Sequence, residues 1–313
     1  MKTFVPNYYR KFKCIADKCL HNCCIGWEID IDEDTLDYYD SLEGDLGARI
    51  QDSIVRDDTP HFRVDDNGRC ANLAENGLCN IISDLGEGAL CEICTMHPRY
   101  RQFFSDREEL GLGLCCEEAC CIVLSFEEKM TLEEYLDDGE SADISPEDEA
   151  FRSIRDEILS VVQNREYDIG KRITKLQDKY GFSLDSIKAA EWSEIFSSLE
   201  QLDPKWNNVL KNIGCSGAEC LCDVGEVLGG HADEQLLVYF ILRHLHTENY
   251  ESELENRLKF AVLSLYMIRG AAKVIGNGKI TFESACEAAR MYSSEIEYSE
   301  ENVDELLFEL SFI

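Results

Sequence analysis

The sequence predicts a mainly α protein, with a loop-rich, cysteine-dense, metal-binding N-terminal domain packed on a helical C-terminal domain. Three observations carry this expectation. Twelve of the 16 cysteines fall within residues 14–121. Glycines recur between 66 and 121, in DNGRC, ENGLC, LGEGALC and GLGLCC, as in loops wrapped about a ligand. Beyond residue 150 apolar residues return at helical spacing. These shifts set the domains at 1–126 (cysteine-rich), 127–149 (an acidic connector) and 150–313 (helical).

The elements follow in chain order. GWEIDID alternates, which predicts a short strand with Trp27, Ile29 and Ile31 on one face. Asp34 to Tyr39 and roughly 45–55 read as helices. Residues 127–149 hold 11 acidic residues and one lysine, and are expected to be an exposed connector. A short helix is expected within it, since Thr131 and Glu134 have capping-box spacing. Ser145 then caps a longer helix, with Pro146 in its first turn and Glu147, Asp148 and Glu149 at the positive end of the dipole. Ile169, Ile173, Leu176 and Tyr180 continue the pattern after Asp168. The segments 233–246 and 252–274 are apolar nearly all round, as buried helices are. SEENVDELLFELSF closes the chain as another helix.

Composition narrows the function classes. Hydrophobic residues at 44% supply a real core, so a chain of 313 residues does not depend on disulfides to fold. The net charge of −33 repels phosphate backbones, which argues against nucleic acid as a partner. The apolar runs LLVYFIL and FAVLSLYMI are far shorter than the ~20 residues that span a bilayer. The N-terminus MKTFVPNYYRKFKC has no apolar signal region. A cytoplasmic protein without membrane contact is expected, and in that compartment clustered cysteines stay reduced and read as metal ligands or redox centres.

The cysteines come in short-range groups: CIADKCLHNCCIGW (14–27), CANLAENGLC (70–79), CEIC (91–94) and CCEEACC (115–121). Gaps of two to four residues let two thiolates converge on one metal without straining the backbone. A metal or iron–sulfur site is favoured over a thiol relay or buried free thiols, and four thiolates suit zinc and iron–sulfur alike. GCSGAECLC (214–222), with Cys215, Cys220 and Cys222, reads as ordinary thiols rather than as a second metal site. His244 and His246, two apart, poorly suit one metal.

The run Cys14-x4-Cys19-x3-Cys23-Cys24-x-Gly26-Trp27 resembles the flagellin lysine N-methylase (FliB-like) family. Cys70-x2-Leu73, Cys79-x-Ile81, LCEICTMHPR and Cys115 followed by EEAC extend the likeness. The helical half adds VQNREYDIGKRI, LLVYFILRHL and YSSEIEYSEENVDELL. The resemblance implies a protein-lysine N-methyltransferase acting on flagellin, with S-adenosylmethionine as methyl donor and a [4Fe–4S] cluster. The cysteine domain is also similar to a wider zinc- or iron-chelating group, so zinc is the alternative metal and a non-catalytic metal-binding or redox-sensing protein the alternative function. By position, the pattern falls on Cys19, Cys23, Cys24, Cys70, Cys79 and Cys94 as metal ligands. Cys14, Cys91 and Cys115 stand in reserve. Cys116 replaces a proline common in the family, and His97 stands where a tyrosine is frequent. His97 reads as a surface or loop histidine.

Methylating an amine requires a lysine without its proton, against a reference value of ~10.4. The sequence singles out no base. It has no GxGxxG after a strand, and the C-x3-C-x2-C spacing of radical enzymes fails at Gly26. Arg99, beside the CxxC element, is the candidate partner for a cofactor carboxylate.

Overall fold

A computed structural model describes residues 1–137, 139, 142–184 and 187–313. Asp138, Glu140 and Ser141 of the predicted connector lie outside the described residues. The chain divides into two compact units: Lys13–Arg99, and Met1–Phe12 together with Tyr100–Ile313. Among the described residues there are thirteen α-helices and a small mixed sheet, so the protein is mainly α.

The first strand, β1 (Lys2–Pro6), belongs to the larger unit. In Lys13–Arg99 the regular elements are short: α1 (Glu33–Asp40), α2 (Gly44–Asp52), β2 (Ile54–Val55), β3 (His61–Phe62), α3 (Asn80–Leu85) and α4 (Glu92–Met96). The two helices expected near 34–39 and 45–55 are α1 and α2. The expected strand at GWEIDID is reduced to a bridge between Asp30 and His61, with Phe62 N–H donating to the Ile29 carbonyl at 3.0 Å. Ile29 and Ile31 are buried as the alternation required, but Trp27 is 37% exposed. Trp27 turns away because its indole N–H bonds the Cys23 carbonyl at 2.6 Å. The core of this unit is Ile29, Ile31, Tyr39, Ile50, Phe62 and Ile81, with Cys70 and Cys91 among them.

Asp32 ties this unit together. Its carboxylate caps α1 by accepting from Thr35 N–H at 2.9 Å and reaches sixty residues ahead to Glu92 N–H, at 2.7 Å, where α4 begins. Burial raises the carboxyl, but these backbone donors outweigh it and hold it below 3.8. Its contribution is therefore present above that value and is lost as pH falls through the lower folded value. Asp32→Ala is expected to cost about 1–2 kcal/mol by the loss of one cap and one long-range anchor, read as a lower urea midpoint with an unchanged m-value.

The larger unit holds a sheet of order β4 (Arg99–Phe103), β5 (Arg107–Leu112), β1 and β6 (Leu132–Asp137), with β1 parallel to β5 and antiparallel to β6. β6 replaces the short helix expected from Thr131 and Glu134. Pairing with β1 overrides the local cap: Tyr135 packs edge-on against Tyr9 at 5.4 Å, and Glu134 meets Lys2 at 2.7 Å. The hairpin β4–β5 and α5 (Glu117–Leu124) occupy a stretch expected to be loops.

The helices then run as α6 (Pro146–Val162), α7 (Ile169–Tyr180), α8 (Ala189–Ser198), α9 (Pro204–Gly214), α10 (Ala232–His244), α11 (Leu254–Ile275), α12 (Phe282–Tyr292) and α13 (Glu300–Leu310). Ser145 caps α6 through Asp148 N–H, as expected. Asp168 caps α7, and Gly181 ends it in the left-handed conformation. The buried helices are α10 and α11, and α11 packs against α10, α12 and α13. Between α12 and α13 the chain widens into a π turn, Ser293–Glu297. Such turns present backbone and side chains that a regular helix would hide.

Candidate functional site

Lys13–Arg99 gathers six thiols. Asn22 begins the arrangement: its side-chain carbonyl accepts from Cys24 N–H at 2.9 Å, and its amide donates to the Gly77 carbonyl at 3.2 Å. Gly26 then turns the chain with φ at +96°, a conformation open to glycine, and its N–H reaches the Gly68 carbonyl at 2.9 Å. Cys70 N–H donates to the Cys24 carbonyl at 2.8 Å, so the first and second cysteine groups are joined through the backbone. Cys79 occupies the N-cap position of α3 and Cys91 that of α4, one turn before Cys94, and neither side chain makes a capping bond.

The thiols sense one another. Cys24 donates its proton toward Cys23, which holds Cys23 down at about 7 and pushes Cys24 up. Cys94 donates to Cys91 in the same way, lowering Cys91 and raising Cys94. Burial raises Cys70 and Cys79, and the neighbouring thiolates Cys23 and Cys91 add to the effect on both. Burial likewise raises Tyr39, which faces Cys91, Cys94 and Cys79 while donating to the Ala89 carbonyl at 2.6 Å.

Of the six expected ligands, Cys23, Cys24, Cys70, Cys79 and Cys94 fall in this group, and Cys91 joins them. Cys19 stands half-buried after a 3-10 turn, Ala16–Lys18, and Cys14 is exposed. Cys115 belongs to the other unit, hydrogen-bonded to Tyr298 and pushed up to about 12 by burial. The donor set fits a thiophilic ion or an iron–sulfur cluster. It is all sulfur and runs from exposed Cys23 to buried Cys70 and Cys91, and the raised thiols Cys24, Cys70, Cys79 and Cys94 resist ionising beside their neighbours, a penalty that a bound cation removes.

His97 is not a surface group. It is half-buried with its ring 6.3 Å from Trp27, and burial, then the Arg99 charge, lowers it to about 4, so it is neutral at pH 7. Arg99 donates to the Thr95 carbonyl at 3.2 Å and the His97 carbonyl at 3.4 Å, at the end of α4.

A second constellation lies in the larger unit, and sequence reasoning missed it. Glu297, on the π turn, is fully buried and receives Arg243 Nε at 3.2 Å and His244 Nε2 at 2.7 Å. Tyr239 O–H reaches both of its oxygens at 3.0 Å and itself accepts from Arg243 at 3.0 Å. The guanidinium sits over the rings of Tyr298 at 5.0 Å and Tyr100 at 5.2 Å. Burial raises Glu297, but Arg243 and the His244 hydrogen bond outweigh it and keep the carboxyl low. His244 is lowered by burial in turn. His246 lies beyond α10 against Gln102, at 3.2 Å, so the two histidines serve different neighbours. The signal for this group was the i, i+4 pair Tyr239 and Arg243, concealed in a run read only as apolar.

Residues 230–311, which carry Tyr239, Arg243, His244, Glu297 and Tyr298, match the family model of the FliB lysine N-methylase C-terminal domain. Over 136 residues, 41% of this chain, the sequence is 28% identical to the lysine-N-methylase of Salmonella typhimurium, covering 34% of that protein. It is 28% identical over the same length to the flagellar biosynthetic protein FliU of Salmonella muenchen, covering 80% of it. The match thus spans about a third of the length of the lysine-N-methylase. No solved structure matches the chain. The FliB-like resemblance read from the sequence is borne out through α10 to α13 and the charged turn between them.

Proposed function

We propose that the protein is a cytoplasmic protein-lysine N-methyltransferase acting on flagellin, with S-adenosylmethionine as methyl donor. The observation that carries this reading is the coincidence of the FliB-type match at 230–311 with the buried Arg243–Glu297 pair and its tyrosines. Among the described residues no helix is long and apolar enough to cross a membrane, in keeping with a chain that meets its substrate in solution.

The acidic surface attracts a lysine-bearing segment. Tyr298, 48% exposed, is the rim of the constellation, and its hydroxyl is hydrogen-bonded to Cys115. Its ring and that of Tyr100 already hold one cation, the Arg243 guanidinium. We assign Tyr298 contact with the lysine side chain. In the reaction the amine lone pair attacks the sulfonium methyl carbon, the carbon–sulfur bond breaks to release a thioether, and the ammonium proton has already passed to solvent or a base. Cys23, Cys24, Cys70, Cys79, Cys91 and Cys94 are the group from which the cysteine ligands of a [4Fe–4S] cluster, four at most, would be drawn. Such a cluster, when bound, supplies either a scaffold for this unit or an iron with an open position for the cofactor.

A second reading is a non-catalytic zinc- or iron-binding or redox-sensing protein, favoured by the thiol group alone. One assay separates the two. Protein purified without oxygen is incubated with flagellin and methyl-labelled S-adenosylmethionine, and the flagellin peptides are mapped by mass spectrometry. Label on lysine is expected. Metal-loaded protein that leaves every lysine unlabelled would sink the enzyme and favour the binder.

A further inference from the structure

The loop between α9 and α10 brings together a different set of ligands. Among the described residues, Cys220, Cys222 and Asp223 are the one set of three ligand atoms that all lie within 4.8 Å of one another. We propose that they form a second metal site, distinct from the thiol group of Lys13–Arg99, and that it takes a single zinc-like divalent ion.

The loop is held in shape from several sides. Lys188 and Cys220 form a β-bridge. Ala189 N–H donates to the Glu219 carbonyl at 3.1 Å, and Leu221 N–H donates to the Ile187 carbonyl at 2.9 Å. Leu221 is fully buried, which fixes the turn Leu221–Asp223 between the two cysteines and the carboxylate. Asp223 N–H returns to the Cys220 carbonyl at 3.2 Å. Past the turn, Gly225 lies so close to α11 that an added Cβ would stand 2.3 Å from the Arg269 carbonyl carbon. The ligand atoms therefore converge on a backbone that packing holds in place, and the ordering entropy of binding is met in advance.

The donor chemistry selects the ion. Two sulfurs and one carboxylate oxygen suit a borderline-soft ion of tetrahedral preference, and three protein ligands leave one position for water on the exposed Asp223 side. Calcium and magnesium, which take oxygen ligands, are disfavoured. Cys215 stands exposed at the end of α9 and is not needed to complete the set. A bound ion would tie Cys220 to Cys222 and Asp223 across the turn and so brace the loop between α9 and α10.

The test uses the full chain purified without oxygen. Zinc, iron and sulfide are assayed in the wild type, in Cys220→Ser/Cys222→Ser and in Asp223→Ala. The double variant is expected to lose one zinc equivalent relative to the wild type while iron and sulfide stay unchanged. Asp223 is exposed, so its removal leaves the fold intact, and zinc affinity is expected to fall at least about tenfold. Cobalt added to the wild type should give a thiolate-to-cobalt absorption that exceeds the double variant's by the contribution of one site. Equal zinc content and affinity in all three proteins would overturn the proposal, as would a wild type that takes up no zinc or cobalt at this loop.

Discussion

Arg243→Leu is expected to destabilise the protein by about 3–5 kcal/mol, because it leaves Glu297 buried without its cation. Urea unfolding followed by far-UV circular dichroism reads this directly. The sign of its pH dependence is a second check. In the wild type Glu297 lies below its ordinary value of 4.5, so its contribution is present above that value and fades as pH falls through the lower folded one. In the variant, burial is opposed by the remaining hydrogen bonds without the Arg243 charge, and the carboxyl rises. The folded variant then holds its proton more tightly than the unfolded chain, and its deficit narrows on acidification. Glu297→Gln should cost less than Arg243→Leu, since the amide still accepts from His244 and Tyr239. A loss below about 1 kcal/mol in Arg243→Leu would mean that the pair behaves as a surface ion pair and organises nothing.

The largest effect on the metal is expected from Cys23→Ser together with Cys94→Ser. Each member comes from a different hydrogen-bonded thiol pair, so the double change breaks both pairs while leaving four thiols. Iron and sulfide should fall to near zero, and methyl transfer should fall with them. Cys14→Ser is the control, since Cys14 is exposed and accepts from Ala16 N–H at 3.4 Å. Full metal content in the double variant would place the centre on other cysteines.

The sequence disclosed the helices best where local chemistry and burial agree. Ser145 and Asp168 cap where their side chains predict, and the apolar runs of α10 and α11 are buried on every face. It failed where pairing across the chain decides. β6 reads as a helix locally because its partner strand, β1, lies far earlier in the sequence. Trp27 was assigned to a buried face because alternation counts residues and is blind to an indole that bonds a carbonyl four residues back. The thiol group was legible because thiol spacing is short-range, down to the CxxC that brings Cys91 beside Cys94. The Arg243–Glu297 constellation was not, since it joins residues 54 apart in sequence on helices whose composition reads as core.

The most direct measurement is made on the full chain purified without oxygen, with absorbance recorded and iron, acid-labile sulfide and zinc assayed on one sample. Brown protein with iron and sulfide in near-equal amounts is expected, both lost in Cys23→Ser/Cys94→Ser. Colourless protein without iron and sulfide, or iron and sulfide that survive the double change, would contradict a [4Fe–4S] centre that draws its ligands from these six thiols.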